Sequence, residues 1–465
     1  RQRQMCIRDR SVTERRLLHG EVGQVLETLY EHKTDEVIVQ LARHFDEAGE
    51  SEKAASYLLT AGDRARLLYA NEEAIEHYRR ALEHLQITGD TDRLARAWMR
   101  LGLTYHNAFD YQRSRKAYDQ GFAVWREAAP TSQEQPAGTT LRVWLEEPHT
   151  LDSSFITETI SGRWADQLFS GLVELDDKGI IVPNVARRWQ IHDGGQTYVF
   201  HLREDAKWSD GHPLTADDFV LSGRRILDSK DKDYTLPRLF DIKGAQEYHL
   251  GRLSEGQIGL RAKGAHTLIV KLEQPASYFL HLLASAFLYP VPGQKVFEFG
   301  DGWAEPERIV TNGPYMIDSW SQHQAANLIR NPFYHGTYGG NVGQVEVFVS
   351  DSEHGWEEAM ARYAKEDMDI VEATLFPGDA FRAAQSQFGE NCLTRPGLNT
   401  FSIRFSPNVS PVDNVGLRRA LAMVVDQDHL AHSLSAGQAA PAHGGWIPPG
   451  MAGHLPDIGL PFDPT

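Results

Sequence analysis

Apolar and polar positions change rhythm once along this chain. Up to about residue 130 the apolar residues recur at helical spacing; beyond it, alternating runs mix with helical ones and Gly and Pro become frequent. Trp98, Leu101 and Tyr105 form an i, i+3, i+7 stripe on one predicted helix. The helical part also echoes itself. Stretches 71–82 and 111–118 each place a small residue, Ala74 or Ser114, four positions before a tyrosine. The two small residues lie about 40 positions apart, a period of stacked helical hairpins. Small residues let paired helices approach, and the tyrosine fills the groove beside them. Residues 131–138, TSQEQPAG, are polar and carry Pro136 and Gly138, so they read as a linker.

After the linker, residues 140–145 read as a strand, and a helix follows that ends near Leu168. Residues 196–202 alternate as a half-buried strand does. The stretch 201–222, HLREDAKWSDGHPLTADDFVLS, then predicts a strand end, a tight turn at Asp210-Gly211 and a helix capped by Thr215. Asp217 and Asp218 sit at the positive end of that helix dipole, with Asp218 where a capping-box acid belongs. His201, Asp205, Asp210, His212 and Asp217 lie close together here, but the stretch reads better as scaffold than as a site.

Composition narrows the class. A length of 465 residues predicts two to four domains, and 41% hydrophobic residues suffice for sizeable cores. The net charge of −17 argues against nucleic acid as a partner of this segment. Two cysteines, Cys6 and Cys392, exclude a disulfide scaffold and a Cys-rich zinc site. The longest apolar run, 278–291, is broken by His281 and Pro290 and is too short to span a bilayer, so no transmembrane segment is expected. It reads as a buried helix entering a loop. Residues 1–10 have no apolar core or periodicity, resemble translated linker sequence and are set aside as an artefact.

The motifs after the linker resemble bacterial solute-binding protein family 5, the oligopeptide- and dipeptide-binding proteins of ABC importers. In family order they are 140–145, 147–152, 168–172, 182–189 and 201–222. Val310-Thr311-Asn312-Gly313-Pro314-Tyr315, Arg330-Asn331-Pro332-Phe333-Tyr334, residues 413–426 and Ile447-Pro448-Pro449-Gly450 follow. The helical part resembles tetratricopeptide repeats, and residues 41–49 with 61–65 resemble repeats of large bacterial regulators.

These resemblances imply an α/β, periplasmic-binding-protein-like (type II) module of two lobes over 139–465, C-terminally truncated because family members continue beyond the point matching Thr465. An all-α tetratricopeptide-like domain over 11–130 and the linker 131–138 precede it. By resemblance the module binds a short peptide or other small solute in an interlobe cleft with hinge closure. Such binders hold an extended ligand through its backbone, with water-lined pockets for side chains. The family's anchor for a peptide amino group lies beyond Thr465. Near the expected cleft stand Thr157, Glu158 and Thr159 and the strand Asn399-Thr400-Phe401. The three former residues can bond a ligand backbone and equally suit an ordinary surface loop. Trp189, Trp208 and Trp320 are read as lobe core rather than stacking platforms.

No catalytic or nucleotide-binding motif occurs: the chain has no GxxxxGK[ST], HExxH, GxSxG or GxGxxG, and no cofactor is implied. His77 and His84 are assigned to solvated helix faces rather than to metal. Two functions remain. In one the chain belongs to a cytoplasmic sensor or regulator, with a protein partner on the helical repeats. In the other it is the extracytoplasmic receptor of a peptide ABC importer, with the permease as partner. Repeats standing where a secretion signal or lipid anchor is expected favour the sensor, and with it an ATPase or DNA-binding module upstream.

Overall fold

A computed structural model of the chain describes residues 11–127, 138–156, 158–229, 236–336, 338, 340–350, 355–372, 378–393, 400–434 and, with short breaks, 439–463. They fall into two compact units. The larger holds the described residues of 1–66, 70–141 and 145–350; the smaller holds 67–69, 142–144 and those of 351–465. The linker 131–138 lies outside the described residues except for Gly138.

The larger unit opens with six helices: α1 (Val12–Leu29), α2 (Ile38–Ala48), α3 (Ser51–Leu67), α4 (Asn71–Thr88), α5 (Thr91–Asn107) and α6 (Tyr111–Glu127). Their ends follow ordinary capping chemistry. Ser11 and Glu14 form a capping box on α1, Asp90 accepts the Arg93 N–H of α5, and α2 and α4 end on left-handed Gly49 and Gly89. Ala74 and Ser114 are buried as their spacing predicts, and so are Tyr78 and Tyr118. The groove each tyrosine fills is made by a glycine on the preceding helix. A Cβ at Gly62 would lie 2.5 Å from the Tyr78 ring, and one at Gly102 2.8 Å from Tyr118. Gly23 meets Phe45 at 2.9 Å in the same way. Three successive helix pairs thus use one device.

Beyond the helices come β1 (Thr139–Glu146), α7 (Thr159–Leu168), β2 (Val173–Leu175), β3 (Ile181–Pro183), β4 (Ala186–His192), β5 (Thr197–Leu202), α8 (Ala216–Asp228), β6 (Leu260–Ala262) and β7 (Thr267–Lys271). β2 and β3 form a hairpin, and β4-β5-β7-β6 form an antiparallel sheet. The register pairs Trp189 with Phe200, Ile191 with Tyr198, and Tyr198 with Val270. These residues are buried on one face, while Gln190, Val199, His201 and Ile269 on the other are half-exposed. β8 (Tyr315–Ser321), β9 (Ala325–Arg330) and β10 (Val342–Ser350) form an antiparallel meander.

The 201–222 corner is scaffold. Gly211 takes φ +88° in the turn, and its N–H donates to the Trp208 carbonyl at 2.8 Å. Asp218 is a buried hub: one oxygen accepts the Thr215 N–H (2.8 Å), the Thr215 hydroxyl (3.3 Å) and the Trp208 indole (3.4 Å), and the other accepts the Gly293 N–H (3.1 Å). Burial pushes its carboxyl above the usual range, and these donors offset part of that rise.

The Asn-Gly-Pro and Asn-Pro motifs form a second clasp. The Asn312 amide takes the Ser170 N–H at 3.1 Å and donates to the Ser170 carbonyl at 2.9 Å. Asn331 donates to the Gly313 carbonyl at 3.0 Å. A Cβ at Gly313 would lie 2.5 Å from the Leu168–Phe169 backbone, so this position requires glycine.

In the smaller unit, Val143 and Trp144 of β1 pair in parallel with β11 (Ile370–Val371), and Arg142 forks onto the Asp369 carboxylate at 2.8 Å. It also holds α9 (Gly355–Ala364), α10 (Gly378–Phe388), α11 (Val415–Met423) and α12 (Gln427–Leu434). Tyr363 packs edge-on to Phe388 at 5.0 Å. Among the described residues after 399 no side chain is buried.

Some expectations change. The 278–291 run forms a helix shorter than expected, Phe279–Leu283, and a further turn, Ala286–Leu288; Phe279, Leu280, Leu283 and Leu288 are buried, Tyr278 is 51% exposed, and Pro290 and Val291 lie outside any helix. His84 is not on a solvated face: it is 9% exposed, with Nε2 2.9 Å from Asp46 and Nδ1 3.2 Å from Ser51 Oγ. His77 is half-buried beside Glu73.

Candidate functional site

Around the sequence-predicted ligand residues, segment 150–156 is held from several sides. Asp152 is 4% exposed and accepts from Arg225 (2.7 Å), the Trp303 indole (3.0 Å) and the Ser154 N–H (3.0 Å). Burial pushes its carboxyl up, and Arg225 with the hydrogen bonds offsets part of the rise. Arg225 also lies over the Phe155 ring at 5.4 Å. The Trp164 indole donates to the Glu146 carbonyl at 3.1 Å, which ties α7 to the end of β1. A loop fixed this way presents its backbone in one geometry.

The expected ligand residues part company. Glu158 caps α7, taking the Ser161 N–H on both oxygens at 2.9 and 3.0 Å, with His149 Nδ1 at 3.4 Å. Burial works against its charge, but these bonds outweigh it and hold the carboxyl below its usual range. Thr159 opens α7 and is exposed. Thr157 lies outside the described residues. In the smaller unit, Thr400 donates its hydroxyl to the Trp446 carbonyl at 3.0 Å and Phe401 is 90% exposed. Neither lies in a strand, contrary to expectation: residues 400–405 have no ladder partner among the described residues. Asn399 lies outside them.

Sequence reading missed Asp152, Arg225 and Trp303, which come together from three distant stretches. The signal available was a lone Asp beside Ser-Ser, an Asx-type turn, and nothing linked it to the other two. Trp208 and Trp189 are buried and Trp320 is half-buried against Trp164 at 5.1 Å. Among the described residues no group of three or more His, Cys, Asp or Glu is placed to hold a metal, and no helix is long and apolar enough to cross a membrane.

Comparison with known proteins places much of the chain in one family. The profile of the bacterial extracellular solute-binding proteins, family 5, matches residues 181–465. A probable deoxycholate-binding periplasmic protein of Escherichia coli, YgiS, is 33% identical over 290 residues, covering 62% of this chain and 53% of that protein. The periplasmic oligopeptide-binding protein OppA of Salmonella typhimurium is 30% identical over 331 residues, covering 69% and 60%. The solved structure of the Escherichia coli murein tripeptide binding protein MppA superposes with a TM-score of 0.60 at 28% identity, over 69% of this chain and 61% of that one. The chain therefore spans between about half and three fifths of the length of these relatives. The fold it shares with them is the two-lobed periplasmic-binding type, and their family is one of binding proteins rather than catalysts. By the extent of the matched residues, this chain belongs to the bacterial extracellular solute-binding proteins, family 5.

Proposed function

We propose that the chain binds a short peptide or a solute of similar size and acts as an extracytoplasmic receptor that delivers it to an ABC permease. The observation that carries this reading is the family match over 181–465 together with 30% identity to an oligopeptide-binding protein. The relatives are periplasmic by name, which supports the receptor over the cytoplasmic sensor. One relative is named for oligopeptides and another as a probable deoxycholate-binding protein, so both kinds of ligand belong in the test. The ligand edge in this reading includes Glu158, which is committed to capping α7, and exposed Thr159, whose hydroxyl can meet a ligand backbone. In the smaller unit, taken by itself, Phe401 is kept as a candidate because nearly its whole side chain is exposed. Thr157, Asn399 and Thr400 complete the set proposed from sequence. The six helices are read as tetratricopeptide-like hairpins, supported by the repeated glycine–aromatic contact.

Isothermal titration calorimetry of the full chain against di- to pentapeptides and deoxycholate tests the proposal. Saturable heat with a peptide supports it. Heat with deoxycholate alone replaces the ligand class, and no heat with any member overturns the reading.

A further inference from the structure

α5, next to last of the six helices, is buried almost all round after its first turn. Ala97, Leu101 and Tyr105 join the core of the helices. On its other sides Ala95, Leu103 and His106 are equally buried. What covers α5 and α6 there is the outer half of the β4–β5 sheet.

Four contacts make this junction. His106 Nε2 lies 2.8 Å from the Tyr198 hydroxyl, both residues fully buried. Arg96 reaches Asp176 at 3.2 Å, while the other Asp176 oxygen accepts the Lys178 and Ile180 N–H groups and so fixes the β2–β3 turn. Trp189 is packed edge-on by both Tyr118 and Phe122, with centroids 4.9 and 4.8 Å away. Gly195, at φ +93°, receives the Tyr111 ring so closely that a Cβ would lie 2.3 Å from it. Trp189 and Tyr198 share the buried face of the sheet with Phe200 and Val270, and α8 lies against β6 and β7. The aromatic half of that face is left for α5 and α6.

We infer that the β4–β5 face is a recognition surface whose partner is the chain's own α5–α6 hairpin, the second layer of this sheet. The helical segment is then a fixed part of the lobe and not a domain tethered by residues 128–137. Aromatic burial supplies the attraction, and the Arg96–Asp176 and His106–Tyr198 pairs set the register. This inference is independent of which solute the module binds.

The test keeps the full chain and replaces residues 131–136 with a protease recognition sequence. After cleavage at neutral pH, the two pieces are expected to co-elute at micromolar concentration on size exclusion and to unfold in one transition. Asp176→Arg is expected to weaken their association at least tenfold, and adding Arg96→Asp to recover most of the loss, a rescue that a merely destabilised fold would not give. Separation of the two pieces on cleavage of the chain that carries neither charge substitution, each piece retaining its own circular dichroism, overturns the inference. So does a charge swap that restores nothing.

Discussion

Gly62 and Tyr78 meet so closely that no side chain fits between them: a Cβ on the glycine would stand 2.5 Å from the ring. The tyrosine cannot retreat, because its hydroxyl donates to Asp63 at 2.7 Å and Arg100 holds the same carboxylate at 3.1 Å. Replacing Gly62 by Ala gains about 1 kcal/mol of helix propensity and loses roughly 1–3 kcal/mol to overpacking. The expected net result for Gly62→Ala and Gly102→Ala is a loss of stability, read as a lower urea midpoint. Gly89→Ala, where nothing lies within 4 Å, is destabilised instead through its φ of +75°.

Asp218 serves several donors from one buried carboxylate. Asp218→Ala leaves the Thr215 and Gly293 N–H groups and the Trp208 indole without their acceptor, and a loss of about 2–4 kcal/mol is expected. Asp217→Ala, one position earlier and exposed, serves as the control and should cost under about 1 kcal/mol. Chemical denaturation of the two variants decides it.

Stability should fall on acidification through the histidine range. Burial pushes His106 down to about 4, with His281 adding to the effect, and burial does the same to His335. Both are neutral in the fold and bind a proton in the unfolded chain below about 6.5. Their contribution is therefore whole above that pH, shrinks as pH falls, and levels off below about 4. For fully buried His106 the loss is on the order of 3 kcal/mol. Urea midpoints between pH 7.5 and 4 should fall more steeply for the parent chain than for His106→Gln.

Amide exchange should divide the molecule. α8, whose Phe219, Ser222 and Ile226 are buried, should be protected, whereas residues 400–434, with no buried side chain among those described, should exchange orders of magnitude faster. Equal protection in both would contradict the packing.

In the sequence, the parts of the fold governed by short-range rules were legible. The alternation of 196–202, the Thr215 cap and the small-residue-to-tyrosine spacing all became the elements they predict. The linker suggests two bodies, yet residues on either side of it pack together. Trp189 looked like lobe core, and it is buried, but Tyr118 and Phe122 from the helical segment bury it. No periodicity on β4 or α6 encodes that partnership. The pinned loop was missed for the same reason: Asp152, Arg225 and Trp303 acquire meaning from proximity, and single-residue signals carry none. His84 misled because the faces of a helix shared by two neighbours cannot be told from i, i+7 spacing.

The Asn312 and Asn331 clasp joins three segments through amides alone. Such groups neither titrate nor attract counter-ions. The junction of Ser170, Gly313 and Asn331 should thus hold with equal strength in high salt and in acid, conditions that weaken Arg96–Asp176 and charge His106. Under stress the molecule is expected to loosen first where it is charged and to stay fastened longest where it is merely polar.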